Sequence, residues 1–156
     1  FMIVWYRLPG VIAVLSLSIY ALLMLSLFKL IPVTLTAAGV AGFILSLGIA
    51  VDANVLIFER MKEELRAGKD TLPALKEGFA RAWLSIRDGN VSSILSAIVL
   101  FWFGSSLIKG FALTLGIGVL VSMFSAISIS RAFLYSFGNH PPRGIARFLF
   151  GSGLFR

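Results

Sequence analysis

The chain has no cysteine and only one histidine, His140, among its 156 residues. Disulfide bridges and thiolate metal sites are therefore excluded, and one histidine is too few for a metal or catalytic site that needs several. The sequence also contains no nucleotide-binding loop, no pair of catalytic carboxylates and no nucleophile beside a base. We therefore expect a protein that is not an enzyme and that holds neither a metal nor another cofactor.

Charged residues are scarce as well, at 13% of the chain, whereas hydrophobic residues make up 58%. Soluble domains contain about 25% charged residues, and a soluble domain of this composition would lack the polar side chains to cover its surface. The net charge of +7 would suggest nucleic acid in a soluble protein. Basic residues that flank membrane helices explain it here, so we expect a lipid bilayer as the surroundings and no nucleic acid.

Four long apolar stretches cover about residues 8–28, 36–58, 91–107 and 110–134. Each is close to the ~20 residues that cross the hydrocarbon core as a helix, and none alternates as a membrane strand does. The apolar start, residues 1–7, is too short to span and lacks the basic start of a signal peptide. We read it as the end of a further helix in a longer protein. The predicted fold class is an all-α, polytopic transmembrane helix bundle with four full spans plus the end of a fifth.

A polar segment separates the second stretch from the third. Gly68 is predicted to end a cytoplasmic extension of the second helix, and Asp70 or Thr71 to cap a new helix. Apolar residues recur in this segment at helical spacing: Leu72, Leu75, Phe79, Trp83 and Ile86. The pattern predicts an amphipathic connector at about 70–88, either packed against the bundle or lying on the membrane and sensing lipid. Asn90 is predicted to cap the third span.

Basic residues are distributed unequally between the two sides of the bundle. The segment between the second and third spans holds Arg60, Lys62, Arg66, Lys69, Lys76, Arg81 and Arg87, and the tail holds Arg131, Arg143, Arg147 and Arg156. The opposite connections carry only Lys29 and Lys109. The long loop and both ends are therefore predicted to be cytoplasmic. We divide the chain into a bundle over 1–137 and a cytoplasmic tail over 138–156.

Asp52 stands inside the second span, seven residues before Glu59. At 1.5 Å per residue its carboxyl group lies about 10 Å below the end of the span. A charge at the centre of a span costs about 2.5–3.5 kcal/mol on insertion scales, so Asp52 must pair, take up a proton or face a hydrated cavity. An aspartate withdrawn from water can load and release protons near neutral pH. We predict that Asp52 is a proton relay, with a structural ion pair and a cation site as alternatives.

The surroundings of Asp52 bear on its partner. No basic residue of another span lies at the same depth, since Arg131 is near the cytoplasmic end of the fourth, and we therefore look for the partner in another chain. Asn54 points about 200° away around the helix. We predict that it supports another helix through a hydrogen bond.

The fourth span carries small residues at every fourth position: Gly110, Thr114, Gly118, Ser122, Ala126 and Ser130. Ala38, Gly42 and Gly48 give the second span a similar surface. Small residues let membrane helices approach closely, so we predict that Gly118, Ser122 and Ala126 form a packing surface. Static close packing and sliding of the helices during a working cycle both remain open.

Three segments resemble one known family, in the same order. They are residues 51–60, VDANVLIFER, followed by KEEL at 62–65; residues 77–90, which begin EGFARA and end IRDGN; and residues 108–131, which begin IKGFA and contain SMFSA. Together they resemble the SecD family of bacterial protein-export membrane proteins, over nearly all of residues 1–137. Gly89 and the VSS run at 91–93 depart from the alanine and the isoleucine-threonine-threonine run that are usual in the family.

The resemblance implies more than the composition does. It implies half of a resistance-nodulation-division-type transmembrane domain, in the bacterial inner membrane, with SecF, the SecYEG channel and YajC as partners. It also implies that the proton-motive force assists polypeptide translocation, that Asp52 takes part in proton passage, and that an extracytoplasmic part, which would engage the polypeptide, precedes residue 1. Two rivals are a scaffold that docks SecF without handling protons and an exporter of small molecules or lipids.

Overall fold

The computed structural model describes residues 2–31, 35–125 and residue 132. Its helices are α1 (Met2–Tyr6), α2 (Leu8–Leu30), α3 (Ala37–Arg66), α4 (Thr71–Phe103) and α5 (Ser106–Phe124). Helices α2 to α5 are each long and apolar enough to cross a membrane, and the described residues form no strand. The predicted all-α bundle with four spans is confirmed, and the chain is a multi-pass membrane protein.

Helix α3 lies at the centre and packs on both α4 and α5. Helix α2 joins through Tyr20, Met24 and Phe28, which form a cluster with Phe43 and Leu47 of α3 and Ile117 and Val121 of α5. At the other end, α1 turns back along α2 at Arg7, whose φ is 52°. The close approach there requires a glycine, because a Cβ on Gly10 would lie 2.1 Å from the carbonyl oxygen of Met2.

The connector begins at the predicted position, although the side chain of Asp70 makes no capping hydrogen bond. Helix α3 ends at Arg66, Gly68 follows with a φ of 89°, and α4 starts at Thr71 with Asp70 as its N-cap. Leu75, Ala82 and Ile86 are buried in one cluster with Ala53, Ile57, Phe58 and Met61 of α3. The connector therefore packs on α3, as in the first of the two arrangements considered.

Two predicted helix boundaries are wrong. Asn90 caps nothing, because α4 runs through it without a break from Thr71 to Phe103. The buried faces of the connector and of the third span are in register, with Ile86 and Ala97 both turned inward, so continuing the helix preserves both. The break before the last span lies at Gly104 and Ser105, and Lys109 is inside α5. A Cβ on Gly104 would lie 2.3 Å from the carbonyl oxygen of Leu100. This close contact at the break cannot be recognised from the hydropathy of the sequence, which is why the boundary was misplaced.

Candidate functional site

Asp52 lies on a face of α3 that the described residues do not cover. The buried residues of the helix include Ala50, Ala53 and Ile57, whereas Asp52 is exposed. Its face continues through Ala41, Leu45 and Gly48, which are exposed as well, and a Cβ on Gly48 would meet nothing within 4 Å. We call Ala41, Leu45, Gly48 and Asp52 the Asp52 face.

The carboxylate of Asp52 has no ion-pair or hydrogen-bond partner within residues 2–31, 35–125 and 132. Arg131, the nearest basic residue considered from the sequence, lies outside the described part. Because the face stands in a span, it meets lipid, another protein or a part of this chain outside the described residues, and lipid solvates a carboxylate poorly. A carboxylate at this position therefore calls for a covering partner or a hydrated surface.

Asn54 takes the opposite side of α3, where it is 2% exposed. Its Nδ2 donates a hydrogen bond of 3.1 Å to the carbonyl oxygen of Ala50, one turn earlier in the same helix. The structure thus separates the two polar residues of the VDAN motif, one facing the interior of the bundle and one facing outward.

Gly118 lies at a close crossing of α5 with α3. A Cβ there would be 2.1 Å from Oγ of Ser46 and 3.0 Å from the hydroxyl of Tyr20. Those two hydroxyl groups are hydrogen-bonded at 2.7 Å. Ser122 is buried one turn further on, and its hydroxyl donates to the carbonyl oxygen of Val119. Ala126, the third predicted packing residue, lies outside the described residues.

The surface of α3 at this crossing differs from the one named from the sequence. Gly39, Gly42 and Ser46 are the small residues that lie buried, whereas Gly48 is exposed and Ala38 is half-buried. The hydroxyl of Thr114 donates to the carbonyl oxygen of Gly39 at 2.9 Å, which links α5 directly to α3. The spacing of these positions, three and then four residues, is the signal that would have identified them.

A buried carboxylate at the end of α3 that adjoins the connector was missed from the sequence. The side chain of Glu64 is 7% exposed and accepts hydrogen bonds from Nζ of Lys69 and Nη1 of Arg81. Lys69 also pairs with Glu77. The hydrogen bonds from Lys69 to Glu64 and to Glu77 raise the pKa of Lys69 above its ordinary value, because both carboxylates favour the charged ammonium group. We call Glu64, Lys69, Glu77 and Arg81 the connector clamp.

The connector clamp explains part of the EGFARA motif. Gly78 stands between Glu77 and Arg81, and a Cβ on it would lie 2.7 Å from the backbone nitrogen of Met61. The glycine of the motif thus lets α4 touch the backbone of α3. Its two charged residues bind the end of α3 and the turn after it, since Arg81 pairs with Glu64 and Glu77 pairs with Lys69. The described residues contain no group of three metal-ligating side chains.

Comparison with known proteins gives one consistent family. The sequence model of the MMPL family matches residues 3–153. A protein translocase subunit SecD from Thermobaculum terrenum is 59% identical over 138 residues, which cover 86% of this chain and 27% of that protein. Its counterpart from Synechocystis is 60% identical over 134 residues, again 86% of this chain and 28% of the relative.

Solved structures agree with the sequence relatives. A crystal structure of SecDF in a super-membrane-facing form has a TM-score of 0.86 and 42% identity, and covers 92% of this chain and 19% of the other. A second SecDF, described as a translocon-associated membrane protein from Thermus thermophilus, has a TM-score of 0.84 at 42% identity and covers 91% and 20%. The chain thus spans only about a quarter of the curated relatives named above. It belongs to the MMPL family and, within that family, groups with the SecD proteins.

Proposed function

We propose that this chain is the membrane part of a SecD-type translocase subunit, and that it uses the proton-motive force to assist polypeptide translocation. The observation that carries the proposal is Asp52, a carboxylate within a span that faces away from the other described helices. The name of the relatives, protein translocase subunit, supplies the process. Export driven by an imposed proton gradient, with and without the Asp52 carboxyl group, tests the coupling.

In this proposal the Asp52 carboxyl group takes up a proton from one side of the membrane and releases it to the other. A carboxyl group in a poorly solvated site can hold a proton at neutral pH, and a nearby basic group favours its release. The basic group would belong to the covering partner, since the described part of this chain offers none. Changing access to Asp52 would then couple proton flow to movement of the bundle.

Two rival functions account for these observations less well. A scaffold that only docks a partner could present leucine on the Asp52 face and would avoid the cost of a carboxylate in a span. An exporter of small molecules or lipids from the same superfamily is disfavoured by the high identity to proteins named translocase subunits. A structural ion pair or a cation site at Asp52 remains the local alternative to a relay.

We also propose the partners and the location. SecF is the partner that would cover the Asp52 face, because the related solved structures are of SecDF. The SecYEG channel would lie beside the pair, YajC would be an accessory partner, and the polypeptide would be engaged by an extracytoplasmic part. The protein would reside in the bacterial inner membrane with its C-terminus in the cytoplasm. The crossing around Gly118 and Ser122 would serve as static packing that holds α3 in place, with Ala126 continuing it and Asn54 supporting the interior.

Crosslinking tests whether a partner covers the Asp52 face. The chain has no cysteine, so a cysteine placed at Gly48 is a unique site within it. We expect Gly48→Cys, in the full-length protein with its partner, to crosslink to SecF. Leu22→Cys is the control, because Leu22 is 65% exposed on α2, which packs on a different face of α3. Equal crosslinking to SecF from both positions, or none from Gly48→Cys, would contradict the assignment.

Labelling in intact cells tests the orientation. Lys69 stands in the turn between α3 and α4, and the opposite connections carry only two of the fourteen basic residues. We expect a cysteine at Lys69 to be protected from a membrane-impermeant reagent, and a cysteine at Ser105, in the turn between α4 and α5, to react. Reaction of Lys69→Cys with the reagent from outside would show that the predicted orientation is wrong.

A further inference from the structure

Asn90 carries a buried amide nitrogen that has no partner among the described residues. The residue is 3% exposed, in the middle of α4. Its Nδ2 has no hydrogen-bond acceptor in the part of the chain that the structure describes. Other buried polar groups of the bundle, such as those of Thr114 and Ser46, each donate to a carbonyl oxygen. Asn90 is therefore an exception in an interior that otherwise satisfies its hydrogen bonds.

The position of Asn90 follows from its neighbours in the helix. Ile86, one turn before it, belongs to the cluster that contains Ala53 and Ile57 of α3. Ile94, one turn after it, packs in the cluster of Ala97 with Leu115 and Val119 of α5 and Ile49 of α3. Asn90 thus lies between these clusters, at the junction of α3, α4 and α5.

We infer that Asn90 binds an internal water molecule at this junction. A buried amide donor without an acceptor is strongly unfavourable, and the apolar clusters on either side offer no acceptor. Asn90 is 3% exposed, so a side chain of another protein does not reach its amide. We assign the missing acceptor to a water molecule, the smallest group that can both accept and donate a hydrogen bond. The water accepts from Nδ2 and donates to main-chain carbonyl oxygens, which retain a lone pair beyond their helical bond. Asn90 is then a hydration site inside the bundle, independent of proton coupling at Asp52.

Magnetic resonance of the full-length protein with its partner, in lipid nanodiscs and with ¹⁵N-labelled asparagine, tests this inference. We expect magnetisation to pass from water to the side-chain amide of Asn90. Asn54 is the internal reference: it is buried to 2%, and its Nδ2 already donates to Ala50, so we expect no transfer there. Loss of the signal in Asn90→Leu assigns it, and Asn90→Ala serves if the leucine variant does not fold.

The thermal midpoint of unfolding gives a second measurement. Leucine has a similar size but binds no water, so Asn90→Leu lowers the midpoint if a water molecule is part of the fold. If the amide has no water molecule, Asn90→Leu should raise the midpoint, because leucine removes a buried polar group that has no hydrogen-bond partner. A raised midpoint overturns the inference, and so does an Asn90 amide that receives no magnetisation from water.

Discussion

Asp52→Asn, in the full-length protein with its partner present, should reduce export under an imposed proton gradient to the level measured without a gradient. The yield of the complex should stay near that of the wild type. Asparagine has nearly the same size and still forms hydrogen bonds, but it cannot take up and release a proton. Asp52 has no partner in the described part of its own chain, so the packing of the described helices does not depend on the carboxylate.

Three variants separate the relay from its alternatives. Asp52→Glu keeps a titratable group and should retain part of the gradient-driven export. Asp88→Asn makes the same chemical change at an exposed residue paired with Arg87, and should leave export unchanged. If Asp52 were a structural ion pair, its asparagine variant would strand a buried basic group at a cost of about 3–5 kcal/mol, and the complex would fall apart. Unimpaired gradient-driven export in Asp52→Asn would rule the relay out.

Gly118→Ala should destabilise the bundle by about 1–3 kcal/mol, as overpacking does. The added methyl group would lie 2.1 Å from Oγ of Ser46 and 2.4 Å from its Cβ. Rotating Ser46 moves only the hydroxyl, so α5 must withdraw from α3. The measurement is the thermal midpoint of the purified protein, together with the yield of its complex.

A second glycine of α5 provides the matched control. Gly116 lies in the same helix, and a Cβ on it would meet only the Cβ of Ala97, at an ordinary contact distance of 3.5 Å. Gly116→Ala should therefore be neutral or slightly stabilising, since alanine favours a helix over glycine. Gly42→Ala should resemble Gly118→Ala, because its methyl group would lie 2.5 Å from the backbone oxygen of Phe111. Similar thermal midpoints for Gly116→Ala and Gly118→Ala would show that the contact between α5 and α3 accommodates an added methyl group at little cost.

Sequence reasoning succeeded where one residue type dictates the local outcome. Long apolar runs fix the four spans because an unpaired backbone is too costly in lipid. Gly68 ends α3 because its φ of 89° is one that glycine adopts readily. Depth alone singled out Asp52, since a carboxylate in a span is expensive wherever it points, and its role as a relay stays a prediction.

The remaining features depend on contacts between helices. The uncovered position of Asp52 follows from which faces of α3 the other helices occupy, and hydropathy does not report that. The continuity of α4 through Asn90 depends on two buried faces being in register. The connector clamp joins Glu64 to Arg81, 17 positions later, and only the packing of α4 on α3 at Gly78 brings them together.

The unbroken α4 has a mechanical consequence. Its 33 residues give a length of about 50 Å, whereas the hydrocarbon core is about 30 Å thick. The excess projects beyond the hydrocarbon core, and the connector clamp ties it to the end of α3. A helix without a hinge transmits tilt along its whole length, so any rocking of α4 in the bilayer would displace the connector outside the membrane.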